Sequence, residues 1–358
     1  MKDSVRKLEA YQAETPIEAV KDRYNLDHLA RLSANESVAG PSPKVKAALK
    51  TALEDLDLNY YPDGQATVLR EAIADLNQVP ADNLVLGVGA DELIQLLTRV
   101  VLTPGSNMVV PDPTFGEYGI HGDIEQVTTK KVPVNPEDGH IDFKALRDAV
   151  DDQTEMVWLA NPNNPTGVFE PVAKIQAFLE DLPADVVLVV DEAYFDFVKD
   201  ANKTVAPLVA QYPNLVVLRT LSKAYGLANV RVGYGIMQDP LYTAMQAVRL
   251  PYNLSNLQMA AGTAAVQDQD YLKQVVSDVW TERDKFQNFL ADNQIPFYDS
   301  QANFVWLDVG DAPKVGQQLL ERGYQIKSSS SPSWVRIALG TPAENAGLQE
   351  ALKEILGK

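Results

Sequence analysis

The 358-residue sequence contains no cysteine. A disulfide framework, a thiolate metal site and a thiol nucleophile are therefore excluded, and the redox compartment goes unread. Long apolar runs are missing too, and none approaches the roughly 18 residues a membrane-spanning helix needs. The opening stretch MKDSVRKLEAYQAE has no apolar centre of the kind a secretory signal carries, so a cytoplasmic location is expected. Basic charge is scarce: 31 Lys and Arg stand against 49 Asp and Glu, a net charge of −18. That balance opposes non-specific binding to nucleic acid or anionic lipid, and neither is expected as a partner. The three histidines, His28, His121 and His140, lack metal-ligand spacing, so no metal is expected. In so acidic a chain a small anionic ligand needs a local set of cations. Lys223, Arg231, Lys327 and Arg336 are the ones to place.

What is present is a recurrent strand followed by a helix. The length allows two domains or one elaborated α/β domain. LVLGVG (84–89) leads into ADELIQLLTRVVL, where Leu93, Leu96, Leu97, Val100 and Val101 recur at helical spacing. NMVVPDP (107–113), EMVWLANP (155–162), DVVLVVDEA (185–193), NLVVLRTLS (214–222) and VGYGIM (232–237) follow as short β-branched runs. Near-continuous apolar strands separated by helices predict a mostly parallel sheet covered on both faces, with ligands bound beyond the carboxyl ends of its strands. After about residue 250 the texture changes to long polar helices (270–293) and strands at NFVWLDV (303–309) and WVRIAL (334–339). The expected division is an N-terminal arm (1–40) contributing to a smaller unit, a large α/β domain (41–250) and a smaller α+β C-terminal domain (251–358).

The unusual residues fall at the predicted carboxyl ends. ANPNNPTG (160–167) packs two prolines and three asparagines after a strand, which reads either as a tight turn or as a rigid loop presenting the Asn164 amide to a ligand. In DEAY (191–194), Asp191 follows an apolar run, so its carboxylate needs a donor or cationic partner at the mouth of the sheet. TLSKAYGLANVRVGY (220–234) puts Ser222, Lys223 and Arg231 on irregular backbone between two strands. A lone lysine there would be ordinary surface. Convergence on one sheet edge suggests a single chemistry: pyridoxal phosphate needs a lysine for a Schiff base, an acid opposite its pyridine nitrogen, donors to its phenolate oxygen and an anion site for its phosphate. Ala90 and Asp91, opening a helix, together with Thr220, Ser222 and Arg231, form a candidate phosphate site.

With these stretches, and with VRKLEAYQ (5–12), LSANESVAGPSP (32–43), YYPDG (60–64), PDPTFGEY (111–118), PYNLS (251–255) and VRIALGT (335–341), the chain resembles the fold-type I pyridoxal-phosphate-dependent aminotransferases, within them the histidinol-phosphate subfamily, over nearly its whole length. The resemblance implies a large domain built on a seven-stranded, mostly parallel sheet. It implies that Lys223 holds the cofactor and shuttles the substrate proton, and that Asp191 keeps the pyridine nitrogen protonated. Tyr194 and Asn164 would hydrogen-bond the ring oxygen, and Phe115 would stack on the ring. Tyr61 would reach the phosphate of the neighbouring subunit, which makes a homodimer with shared sites the expected active unit.

The substrate residues also rest on that resemblance. Arg336 corresponds to the arginine that takes the substrate's acidic tail, Tyr11 to a phosphate-contacting tyrosine, and Asn35 to a residue of the pocket wall. Lys327 stands where the subfamily usually has arginine; lysine keeps the charge and loses the bidentate fork. The expected activity is transfer of an amino group from L-histidinol phosphate to 2-oxoglutarate, as a step of histidine biosynthesis. An aromatic amino-acid aminotransferase is the alternative, followed by a decarboxylase of threonine phosphate on the same scaffold. A non-catalytic role as a DNA-binding regulator's effector domain fits poorly with the acidic charge.

Overall fold

A computed structural model describes residues 3–8, 15–55, 59–328 and 331–358. Its strands are β1 (Ala30–Leu32), β2 (Leu84–Gly87), β3 (Asn107–Asp112), β4 (Thr128–Pro133), β5 (Thr154–Ala160), β6 (Val187–Asp191), β7 (Leu215–Thr220), β8 (Gly233–Ile236), β9 (Phe304–Asp308), β10 (Tyr324–Ile326) and β11 (Trp334–Ala338). Seven of them form one sheet in the order β2-β8-β7-β6-β5-β3-β4. Strands β7, β6, β5, β3 and β4 run parallel, and only β8 is antiparallel to its neighbours. The expected seven-stranded, mostly parallel α/β sheet is the sheet observed.

Alternation along the strands explains why both faces are covered. Val187 and Val189 on β6, Met156 and Trp158 on β5, and Val216 and Leu218 on β7 share one core with Leu93, Ile94 and Leu97 of the helix Gly89–Val101. Their neighbours Leu188 and Val190, Val157 and Leu159, and Leu215 and Val217 point the other way. They share a second core with Ile73 of the helix Thr67–Asn77 and Phe178 of the helix Val172–Asp181. Every residue of β6 and β7 is buried, as expected for strands sandwiched between helix layers.

The sequence reading passed over β4, whose TTKKVP carries two lysines and is mostly exposed or half-buried. It is an edge strand, and charge on an edge hinders pairing with another chain. The three-residue strands β1 and β10 were also missed; they pair in parallel, Ala30 opposite Tyr324. Strands β9 and β11 pair antiparallel, with Arg336 opposite Trp306. The helix Asn256–Val266 packs on the helices Pro43–Asp55 and Thr67–Asn77, and the long helix Gln269–Asp292 packs against Pro342–Leu356.

The connection from β7 to β8 determines much of the site. A parallel return would need a crossover of a dozen or more residues, usually helical. Residues 221–232 are irregular and contain no helix, so β8 returns antiparallel beside β7. Strand β2 pairs antiparallel with β8 and so points the same way as β7. Its exit, the start of the helix Gly89–Val101, therefore lies at the same sheet edge as the carboxyl ends of β5, β6 and β7.

Candidate active site

A cavity of about 370 Å³ opens at that edge. Its wall includes Ala90, Asp91, Phe115, Asn164, Asp191, Tyr194, Thr220, Ser222, Lys223 and Arg231. Ten residues proposed from five separate stretches of sequence thus meet around one space. Among the described residues no group of His, Asp or Glu is arranged to hold a metal ion.

Lys223 projects from the irregular loop after β7, and its Nζ donates to the Ala34 carbonyl at 3.0 Å. Gly226, three residues on, has φ +66°, and a Cβ there would collide with the Gly40 carbonyl. The lysine loop and the segment 34–40 therefore pack backbone to backbone, which only glycine permits.

Asp191 ends β6 and is 6 % exposed. Tyr118, fully buried on the helix Glu117–Glu125, donates its hydroxyl to Asp191 Oδ2 at 2.7 Å. The Ala193 N–H donates to Oδ1 at 3.0 Å. Burial pushes the Asp191 carboxyl up to about 6, with these two hydrogen bonds opposing the rise. Among the described residues no cation pairs with this carboxylate, and a protonated pyridine ring at the cavity would provide one. The Tyr118 ring is stacked on Trp158 at 4.5 Å and meets the edge of Phe115 at 5.6 Å.

The sequence reading assigned Tyr118 no role. Its signal was the i, i+3 spacing from Phe115 in PDPTFGEY, but which side chain it would meet depended on the sheet order, since β3 and β6 are not adjacent and β5 lies between them. Glu36 and the Ala34 carbonyl were likewise unassigned, although both residues line the cavity.

The loop 160–167 is held rigid by its own asparagines. Asn161 exchanges hydrogen bonds with the Glu170 backbone at 2.7 and 3.0 Å, and Asn163 accepts from Thr114 at 2.9 Å and donates to the Pro113 carbonyl at 3.0 Å. Asn164 is left facing the cavity, its Oδ1 accepting from Arg336 at 2.6 Å. Arg336 also donates to the Ser33 carbonyl. Tyr194 accepts from the Asn35 amide at 2.9 Å. Asn35 is buried at φ +54°, and its Oδ1 has no hydrogen-bond partner among the described residues.

At the other end lies a cationic cradle. Arg231, itself at φ +60°, bonds Asp91 at 3.0 Å and the Ala228 carbonyl at 3.1 Å, with Ser222 Oγ at 3.5 Å. Thr220 Oγ1 donates to Ser222 Oγ at 3.0 Å. The guanidinium lies where a Cβ on Gly89 would be, and Gly89 has φ +78°. With the N-terminal amides of a 13-residue helix beside them, these hydroxyls and the arginine have the donor set a phosphate ester requires. The carboxylate, the lysine and the cradle together fit pyridoxal phosphate.

Two expected residues, Tyr61 and Lys327, are not part of this cavity's wall. Tyr61 is 82 % exposed and stacked on Tyr252 at 4.8 Å. Lys327 is half-buried, its backbone paired with that of Arg336 at 2.9 and 3.1 Å. Tyr11 lies outside the described residues.

The sequence pattern of aminotransferase class I and II matches residues 27–354. A histidinol-phosphate aminotransferase of Leuconostoc mesenteroides subsp. mesenteroides is 64 % identical over 358 residues, covering 100 % of both chains. One from Leuconostoc citreum is 59 % identical over 98 % of this chain and 99 % of its own. Among solved structures, histidinol-phosphate aminotransferase from Sinorhizobium meliloti, in complex with pyridoxal-5'-phosphate, superposes with a TM-score of 0.90 at 28 % identity, covering 100 % of this chain and 97 % of that one.

Proposed function

The chain belongs to the aminotransferase class I and II family, and from that premise we propose that it is a pyridoxal-phosphate-dependent histidinol-phosphate aminotransferase. It moves the amino group of L-histidinol phosphate to 2-oxoglutarate, giving imidazole acetol phosphate and L-glutamate. The observation that carries this reading is the meeting of Lys223, Asp191, Asn164, Tyr194 and Arg231 around one cavity, in a chain 64 % identical over its full length to a relative of that name.

Pyridoxal phosphate, when bound, supplies the electron sink that lets a bond at the substrate α-carbon ionise. Ser222, Thr220, Arg231 and the amides of Ala90 and Asp91 neutralise and orient its phosphate. Asp191, held by Tyr118 and the Ala193 amide, keeps a positive charge on the ring nitrogen. Phe115 would pack on the ring, and the Tyr194 hydroxyl and Asn164 amide would hydrogen-bond its phenolate oxygen. The Lys223 amine would hold the cofactor covalently at rest and, once displaced by the substrate amine, would take the proton from the substrate α-carbon and redeliver it on the far side of the reacting nitrogen. Arg336, beside Asn164, receives the acidic tail of either substrate, with Lys327, Tyr11 and Asn35 completing the pocket.

We further read the active unit as a homodimer in which Tyr61 of each chain completes the other's phosphate site. The exposure of Tyr61 and Tyr252 supports this, because exposed stacked aromatic rings are suited to an interface core. No helix of the described residues is long and apolar enough to cross a membrane, and we propose that the enzyme works in the cytoplasm.

A donor screen with 2-oxoglutarate as acceptor tests the substrate. Histidinol phosphate is expected to yield glutamate without release of carbon dioxide, and Lys223→Ala to abolish turnover. Brisk use of phenylalanine or tyrosine with histidinol phosphate inert would replace this reading with an aromatic aminotransferase.

A further inference from the structure

Three carboxylates line the active-site cavity: Asp91, Asp191 and Glu36. Asp91 is engaged by the Arg231 guanidinium at 3.0 Å, and Asp191 is held by Tyr118 and the Ala193 amide beneath the proposed ring site. Glu36 is not among the residues proposed to hold the cofactor. Its Oε2 lies 3.3 Å from Arg31 Nε, and no donor reaches its Oε1 among the described residues. The side chain is 36 % exposed, and the residue lines both this cavity and the neighbouring one beside Val275 and Thr341.

The position of Glu36 is built. On its N-terminal side the Ala34 carbonyl accepts from Lys223, and Asn35 donates to Tyr194. The Asn35 carbonyl accepts from Asn303 at 3.1 Å. On its other side, Gly40 packs on Gly226, and the Tyr271 hydroxyl donates to the carbonyls of Ala39 and Gly40 at 3.0 and 3.2 Å. A segment clamped at both ends thus places Glu36 in the wall of the cavity that also holds Lys223, with one carboxylate oxygen unbonded among the described residues. In a site that takes an anionic cofactor and anionic substrates, an extra carboxylate weakens binding unless it meets a donor.

We propose that Glu36 is a specificity-determining residue that accepts a hydrogen bond from the ring N–H of the amino donor's imidazole. This deepens, and rests on, the reading of the chain as a histidinol-phosphate aminotransferase. The donor has three polar parts. Its amine is assigned to the lysine end of the cavity and its phosphate to Arg336 and Lys327, and the imidazole N–H remains for Glu36. A charge-assisted bond of this kind discriminates strongly against a ring that cannot donate, because the carboxylate is then left facing an apolar edge. Arg31 holds the other carboxylate oxygen, fixing its direction and lessening its repulsion of 2-oxoglutarate.

The test uses the holoenzyme and the donor half-reaction alone, followed by the cofactor's absorbance. Histidinol phosphate is compared with phenylalaninol phosphate, which keeps the amine and the phosphate and replaces the imidazole with a phenyl ring. Glu36→Ala is expected to raise the apparent Kd for histidinol phosphate at least tenfold, with the limiting rate within about twofold. The Kd for phenylalaninol phosphate should not rise and is expected to fall, since the unpaired carboxylate no longer faces the phenyl ring, and retained binding also shows that the variant is folded and loaded. Glu36→Gln should fall between, since its amide oxygen still accepts but carries no charge. Equal losses for both donors, or an unchanged preference, would overturn the proposal. Wild-type protein inert toward histidinol phosphate would overturn the functional reading itself, a result visible before any variant is made.

Discussion

Tyr118 donates its hydroxyl to Asp191 Oδ2 at 2.7 Å, both side chains being buried. The bond joins the helix after β3 to the end of β6, beneath the proposed cofactor ring. It opposes burial, which by itself raises the Asp191 carboxyl. In Tyr118→Phe that carboxyl should rise further above about 6. The pH below which the cofactor-free protein stops taking up pyridoxal phosphate should move upward. Turnover at neutral pH should fall roughly tenfold, as expected for loss of one hydrogen bond to a charged group. Absorbance titration of cofactor uptake against pH reads the shift directly.

Gly89→Ala addresses the phosphate cradle. The backbone there has φ +78°, and the new methyl group would overlap the Arg231 guanidinium. Strain of about 1–2 kcal/mol for a non-glycine residue in that region adds to the displacement of the arginine. The dissociation constant of the cofactor, measured by equilibrium dialysis, should rise by about tenfold or more.

Glu192 and Arg219 form a buried ion pair at 2.8 Å on the opposite side of Asp191 from Tyr118 in sequence, with side chains 0 % and 4 % exposed. Arg219 also lies 3.7 Å over the Phe195 ring and bonds Thr204 at 2.6 Å. Glu192→Ala leaves a buried guanidinium without its anion and should cost about 3–5 kcal/mol of stability. Urea denaturation should show a lower midpoint at an unchanged slope.

Asp196 is buried, and burial raises its carboxyl to about 6 from a reference of 3.8, with Lys203 and Arg219 opposing the rise. A carboxyl raised in the folded state binds its proton more tightly folded than unfolded. Its contribution to stability is thus complete below about pH 4 and is lost as pH rises through about 6. Against Asp196→Asn, the wild-type protein should lose up to about 3 kcal/mol across that window and hold a constant difference above it. Thermal melts of both cofactor-free proteins between pH 4 and 7 provide the comparison, and subtracting the variant removes the titration of Asp191, which falls in the same range.

Much of this architecture was legible from the chain. The fully buried runs of β6 and β7 identify themselves by β-branched residues without alternation, and the polar residues at their exits follow from the rule that parallel sheets bind ligands there. Strand β4 was not legible, because an edge strand with two lysines has the composition of a loop.

The sequence by itself singled out the residues proposed to carry the chemistry. Lys223, Asp191, Asn164 and Arg231 each have an ordinary structural reading alone, and it is their convergence at the exits of apolar strands that points to function. Only the tertiary structure decided what each of them touches. Tyr118 meets Asp191, Arg336 meets Asn164, and Asn35 meets Tyr194 across separations of 73, 172 and 159 residues. Local pattern reflects backbone preference and burial over a few residues. The partner of a buried polar group is chosen by sheet order and by the packing of loops far apart in the chain.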